Sequence, residues 1–192
     1  KIEDDGEILC KGPNIMLGYY KDPKLTSQVM SGDFFHTGDI GVVDMDGFLK
    51  ITDRKKEIFK TSGGKYIAPQ VLENELKQSL FIEQIMIVGE GEKMPGALIQ
   101  PNFEHVKFWF KENNVQYKDD LRSICDNIKI IEKIESEIRL QDEKFGNWEQ
   151  VKKFKLIDEI WSIDGGQLAP NLKVRRKFVK EKYNSLIKEI YN

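Results

Sequence analysis

The stretch Asp53-Arg54-Lys55-Lys56-Glu57-Ile58-Phe59-Lys60-Thr61-Ser62-Gly63-Gly64-Lys65-Tyr66-Ile67-Ala68-Pro69 divides the chain. Its first five residues are all charged, the composition of a solvated linker. Ile58-Phe59-Lys60 and Lys65-Tyr66-Ile67 then flank the loop Thr61 to Gly64 and read as a short hairpin. Pro69 opens a helix at its first turn, where a missing N–H costs little. Val71, Leu72, Leu76 and Leu80 supply that helix with an apolar face.

Before this stretch the chain is rich in glycine and short β-prone runs. Glu7 to Lys11 alternates polar and apolar residues, as a half-buried strand does, and Gly12-Pro13 stops it. Val42 to Ile51 is a hairpin signal: two β-prone runs flank Asp46-Gly47, a pair suited to a tight turn. A small antiparallel sheet or barrel follows.

After the stretch, strands and helices mix. Ile85-Met86-Ile87-Val88-Gly89 and Ala97-Leu98-Ile99-Gln100-Pro101 read as buried strands. Phe103 to Phe110 reads as a helix. Leu121, Ile124, Cys125, Ile128, Ile131 and Ile138 line another helix. Phe154 to Ile157 is a strand candidate, Asp164-Gly165-Gly166 a turn. Val174 to Ile190 reads as a terminal amphipathic helix with Phe178, Leu186, Ile187 and Ile190 on one side. The expected architecture is therefore α+β, with residues 1–55 as the β-rich end of a larger domain and 56–192 as a small α+β domain.

Composition narrows the function. The chain has 192 residues, 40% of them hydrophobic and 32% charged. Lys and Arg number 30 against 32 Asp and Glu, a balance without the basic footprint of a nucleic-acid binder. Cys10 and Cys125 lack the spacing of a zinc site and read as free thiols. His36 and His105 form no metal cluster in the sequence. His36, beside Phe34 and Phe35, reads as structural, and Trp109, Trp148 and Trp161 read as packing residues. The chain opens on Lys1 and reads from Glu3-Asp4-Asp5-Gly6 like the middle of a protein, so a fragment is expected. No run of apolar residues reaches membrane-spanning length.

Chemistry concentrates in three places. In Thr37-Gly38-Asp39 a turn can hold a carboxylate, and one carboxylate accepts two hydroxyl hydrogen bonds, as a ribose diol requires. Alone, the tripeptide is ordinary turn chemistry. Ser62-Gly63-Gly64 permits close backbone approach to a ligand. Lys173, Arg175, Arg176 and Lys177 crowd the start of a helix, where the macrodipole disfavours cations.

In order, Gly6-Glu7-Ile8-Leu9, Gly12-Pro13, Gly18-Tyr19-Tyr20-Lys21-Asp22-Pro23, Gly32-Asp33-Phe34-Phe35-His36-Thr37-Gly38-Asp39, Asp53 to Ile58, Lys60 to Pro69 and Leu168-Ala169-Pro170-Asn171-Leu172-Lys173-Val174-Arg175-Arg176 resemble the C-terminal third of AMP-forming acyl-CoA synthetases. The wording is closest to the long-chain fatty acid–CoA ligase branch. The resemblance covers essentially the whole chain. It implies a two-step reaction: a fatty acid and ATP give acyl-AMP and pyrophosphate, then CoA displaces AMP to give the thioester. It also implies a small mobile C-terminal domain, preceded by a barrel-like strip of the large AMP-binding domain, that swings about a hinge between the steps.

Carried over by position, Lys173 is the adenylation lysine. Asp39 is the ribose carboxylate, with Thr37 and Arg54 as its nucleotide-binding neighbours. Lys56 is the hinge. Lys60, Ser62, Gly63 and Gly64 belong to the thioester-forming step, and Lys65 is placed to meet CoA phosphates. At 172 this chain has leucine where many relatives have glycine. The implied ligands are ATP with Mg2+, held mainly by the absent N-terminal part, together with AMP, CoA and a fatty acid; no metal site and no nucleic acid are expected. A cytoplasmic location follows, with peripheral membrane contact open. The phosphate loop and acyl-pocket motifs would precede Lys1, so the chain alone is expected to be inactive. The alternatives are another adenylate-forming enzyme, namely an acyl–carrier-protein synthetase or aryl-CoA ligase, and a free-standing non-catalytic α+β interaction module.

Overall fold

A computed structural model describes all residues, 1–192. The chain divides into two compact units, Lys1–Ile58 and Phe59–Asn192.

The first unit is built on one long strand. Strand β1 (Glu7–Cys10), helix α1 (Pro23–Val29), and strands β2 (Met30–Ser31), β3 (Phe34–Val43) and β4 (Leu49–Arg54) follow in order. β3 pairs antiparallel with β1, β2 and β4, and the four-stranded sheet stays open, so of sheet and barrel it is the sheet that forms. The hairpin expected around Asp46-Gly47 joins β3 to β4, with Gly47 at φ +85°. Helix α1 went unread in the sequence. Its signal is Asp22 followed by Pro23: the Asp22 carboxylate accepts the Leu25 N–H at 2.9 Å and proline occupies the first turn. The charged run is not a solvated linker. Asp53 is fully buried on β4, and Lys55 is ion-paired to Asp5 and Glu7.

The second unit begins with the hairpin β5 (Phe59–Lys60) and β6 (Tyr66–Ile67), then helix α2 (Pro69–Leu76). Strands β7 (Ile82–Val88), β8 (Gly96–Pro101) and β9 (Lys153–Leu156) form a sheet in that order, β9 parallel to β8. Between β8 and β9 lie α3 (Phe103–Glu112), α4 (Leu121–Cys125) and α5 (Ile128–Asp142); α6 (Arg176–Lys182) and α7 (Asn184–Tyr191) end the chain.

The continuous apolar run Ile85-Met86-Ile87-Val88 has a simple cause. Alternate residues of a strand face opposite sides, and here both sides are covered. Ile85, Ile87, Ala97 and Ile99 belong to one core with Leu72, Leu76, Phe110, Ile130, Ile134 and Ile138. Met86, Val88 and Leu98 belong to a second core with Ile157, Trp161, Val179, Tyr183 and Ile190. Each fully buried isoleucine contributes about 1.5–3 kcal/mol.

Two long helices expected from periodicity are each broken. Asn127 ends the first: its side chain accepts the Lys129 N–H at 2.9 Å and starts α5 afresh, so Ile130, Ile134 and Ile138 become the buried stripe while Ile128 is 60% exposed. Tyr183 ends the second, leaving the helical region at φ −106°, ψ 25°, and Val179 is buried there rather than Phe178. Helix α2 also stops at Leu76, which leaves Leu80 exposed. No helix is long and apolar enough to cross a membrane.

Candidate active-site elements

Thr37, Asp39 and Arg54 come together in the first unit. Opposite β1, the pairing runs from Glu7↔Ile40 to Leu9↔His36, so β3 spends Thr37-Gly38-Asp39 against Ile8 alone. Such a bulge re-aims side chains, and Gly38 supplies its left-handed φ of +71°. The Thr37 hydroxyl donates to the Ile8 carbonyl at 2.7 Å and accepts the Asp39 N–H at 3.1 Å, which fixes the backbone under Asp39. Asp39 then faces its strand partner Arg54, whose Nε lies 2.7 Å from Oδ1. A carboxylate has about four acceptor positions, so this pair leaves Asp39 capacity for hydroxyl donors. Thr37 and Arg54 line a cavity of about 500 Å³ with Tyr19, Leu25, Phe35 and Lys56; Asp39 is not on its wall.

Behind the bulge sits Glu7, whose part in the site the sequence did not reveal. Its side chain is 6% exposed. It takes Lys55 Nζ at 2.7 Å, His36 Nδ1 at 3.1 Å and the Gly38 N–H at 3.1 Å. This gives His36 the structural place expected of it. Burial pushes the Glu7 carboxyl up, but the Lys55, His36 and Gly38 bonds outweigh it and leave the carboxyl below its ordinary value. Asp5 and Glu7 hold Lys55 above the usual lysine value.

A depressed carboxyl stabilises the fold fully above its unfolded value of about 4.3, and that support is lost as pH falls through the folded value. A raised lysine acts at the other end, losing its contribution only as pH climbs past about 10.4. Protection of the Gly38 amide should therefore hold near neutrality and collapse below about pH 4. Glu7→Gln should cost about 1–2 kcal/mol at pH 7 and flatten that acid limb. Amide hydrogen exchange between pH 3 and 7, corrected for intrinsic rates, checks both.

In the second unit, Lys60 and Ser62-Gly63-Gly64 share one hairpin. The Thr61 N–H donates to the Lys65 carbonyl at 2.9 Å and the Gly64 N–H to the Thr61 carbonyl at 2.9 Å, a tight turn with Gly64 at φ +80°. The Ser62 N–H donates to Glu92 O and the Gly91 N–H to Lys60 O, which ties the hairpin to the β7–β8 turn. Gly63 and Gly64 remain exposed with free space around them. Lys60 lies over the Tyr66 ring at 5.3 Å, and Lys65 over Trp148 at 5.0 Å.

Lys173 lies on a different loop of the same unit. A bridge between Leu168 and Val174 closes it, reinforced by Ala169 N–H to Lys173 O at 2.8 Å and Arg175 N–H to Gln167 O at 2.8 Å. Leu172 sits in the left-handed region at φ +62° with its side chain 62% exposed. That is the physical reason a glycine suits this place, and leucine there costs about 1–2 kcal/mol of backbone strain. Lys173 itself is exposed and has no ion partner. Its neighbour Arg176 is spent on structure. One guanidinium nitrogen meets Glu73 Oε1 at 2.6 Å and the other the Ile87 carbonyl at 2.7 Å, while Glu73 Oε1 also accepts the Ile87 N–H at 2.7 Å. The crowded basic run thus resolves into one clamped arginine, one arginine against Phe178, and two exposed lysines without an ion partner, Lys173 in the loop and Lys177 on α6.

No group of three His, Cys, Asp or Glu side chains is placed to hold a metal ion. Burial pushes the Cys125 thiol up to about 12, the environment of an inert thiol.

Long-chain-fatty-acid–CoA ligase FadD15 of Mycobacterium tuberculosis is 36% identical over 192 residues, covering 100% of this chain and 32% of the relative. Human long-chain-fatty-acid–CoA ligase 1 is 36% identical over 194 residues, covering 99% of this chain and 28% of the relative. The chain thus spans about a third of the length of the curated relatives it matches. The adenylation domain of a carboxylate reductase from Mycobacterium chelonae shares the fold at a TM-score of 0.79 and 22% identity, over 97% of this chain and 27% of that one. The corresponding domain from Segniliparus rugosus, solved with AMP and a co-purified carboxylic acid, gives 0.76 and 24%, over 97% of this chain and 28% of that one. Residues 56–192 match the family model described as the AMP-binding enzyme C-terminal domain, and the chain belongs to that family.

Proposed function

We propose that this chain is the C-terminal part of an AMP-forming long-chain fatty acyl-CoA synthetase. In this reading the Asp39 carboxylate receives the ribose hydroxyls of ATP, with Thr37 holding its backbone and Arg54 presenting a guanidinium beside it. Lys173 bridges the fatty-acid carboxylate and the α-phosphate as charge builds between them. Acyl-AMP and pyrophosphate result. The second unit then turns about Lys56, and the exposed Gly63-Gly64 turn, with Lys60 beside it, lies along the CoA arm while the thiol displaces AMP. ATP would bring Mg2+, which would supply charge neutralisation at the phosphates; this chain's residues offer no cluster for it.

The observation that carries the reading is Lys173: an exposed cation without an ion partner at the foot of a loop, beside the Leu168–Val174 bridge, where backbone bonds fix its main chain. The 36% identity to fatty-acid–CoA ligases supports the acyl class. The test is ATP–pyrophosphate exchange. The full-length protein should exchange in the presence of palmitate and not with benzoate, and the 192-residue chain alone should show none. Exchange driven by benzoate would point to an aryl substrate instead.

A further inference from the structure

Between β9 and the Lys173 loop, residues 157–168 run without helix or strand. Polar bonds hold them, buried at Gln100 and partly exposed at Glu159, whose side chain is 41% exposed. The Ile157 N–H donates to Ile99 O at 2.8 Å. Gln100 on β8, 3% exposed, accepts the Trp161 N–H on Oε1 at 2.8 Å. Gln167 is fully buried, and its Nε2 donates to Glu159 Oε1 at 2.8 Å. Glu159 also takes the Tyr183 hydroxyl on Oε2 at 2.7 Å and Lys182 Nζ on Oε1 at 2.5 Å. The Gln167 carbonyl in turn accepts the Arg175 N–H at 2.8 Å, one of the bonds that close the loop bearing Lys173. Gln167 is therefore the junction between a charged network and the neck of that loop.

A buried amide is costly unless bonded, and the Glu159 bond is the shortest of those the Gln167 side chain makes; the Tyr183 hydroxyl lies 3.5 Å from its Nε2 and the Ser162 N–H donates to its Oε1 at 3.4 Å. The loop's own backbone bonds close it on itself, but it also carries a strained Leu172, and its neck is joined to the rest of the unit through Gln167. We infer that Glu159 and Gln167 are positioning residues for Lys173, anchoring the loop neck so that the lysine is presented in one place. The inference rests on the role proposed above for Lys173. A displacement of about 1 Å in a reacting group can cost about 100-fold in rate, so loosening the neck should tell on the step Lys173 serves.

The experiment is done in the full-length protein on the two half-reactions separately. Glu159→Ala should lower kcat for adenylation about tenfold with KM for ATP within about twofold, and leave thioester formation from supplied acyl-AMP unchanged. Glu159→Gln keeps an acceptor for Gln167 and a partner for Tyr183, and should return adenylation to within about threefold of the parent. Gln167→Leu, which removes the donor, should behave like Glu159→Ala. The inference is overturned by unchanged adenylation in Glu159→Ala, by equal loss in both half-reactions, or by Glu159→Gln being as slow as Glu159→Ala. Lys173→Ala separates the two readings. If it spares adenylation, the role of Lys173 fails and this inference with it. If it cripples adenylation while Glu159→Ala does not, only the positioning role falls.

Discussion

In the full-length enzyme proposed above, Lys173→Ala should slow acyl-AMP formation by about 100- to 1,000-fold, the usual loss when one preorganised charge donor is removed from a transition state. Thioester formation from preformed acyl-AMP should be spared, because the role proposed for that step lies with the Gly63-Gly64 turn and Lys60, on a separate hairpin. Stability should not move. Lys173 is exposed and has no ion partner, so its removal leaves no orphaned group behind. Single-turnover measurement of the two half-reactions, with an unfolding curve for the variant, checks all three statements. Equal loss in both half-reactions would remove the assigned role.

Arg176→Ala should do nearly the reverse. Arg176 and Glu73 are 15% and 12% exposed, and the guanidinium joins α6 to α2 and to the backbone of β7. Removing one member of such a pair leaves a carboxylate and a carbonyl short of a partner, at a cost of about 3 kcal/mol. For a unit of this size that lowers the melting temperature by about 10 °C. All three tryptophans, Trp109, Trp148 and Trp161, lie in the second unit. Tryptophan fluorescence during urea unfolding therefore reports this unit selectively. A shift of less than about 1 kcal/mol would mean that solvent replaces the clamp at little cost.

Placed three residues apart, Lys173 and Arg176 show how much of the candidate site could be read in advance. Position in the motif pointed to Lys173. Nothing local separated it from the other cations in the run, because a basic side chain's partner can lie anywhere in the chain. Arg176 finds Glu73 across a separation of 103 residues, and Lys55 finds Glu7 across 48. The glycine-to-leucine departure at 172 was visible as letters, but its meaning depended on a backbone angle. Glu7 was legible only as one polar position of a strand. Its partners arrive through the β1–β3 register shift, which no pattern in either strand announces.

The secondary elements divide the same way. Period-two alternation and the Asp46-Gly47 pair marked the strands and their hairpin, since these depend on neighbours in sequence. The buried run Ile85 to Val88 marked a strand covered on both faces, and the sheet bears this out. Periodicity carried two helices too far because it cannot weigh an Asn127 cap or a Tyr183 hydroxyl drawn to Glu159 against continuing the turn. Local sequence thus marked most strands, turns and helices, though not α1 or the breaks at Asn127 and Tyr183, and it settled the α+β class and the family resemblance. Tertiary structure alone decided which charges are spent inside the fold and which are left to project. A charge is silent about its partner until folding brings distant residues within hydrogen-bond range, and burial then makes that pairing costly to lose.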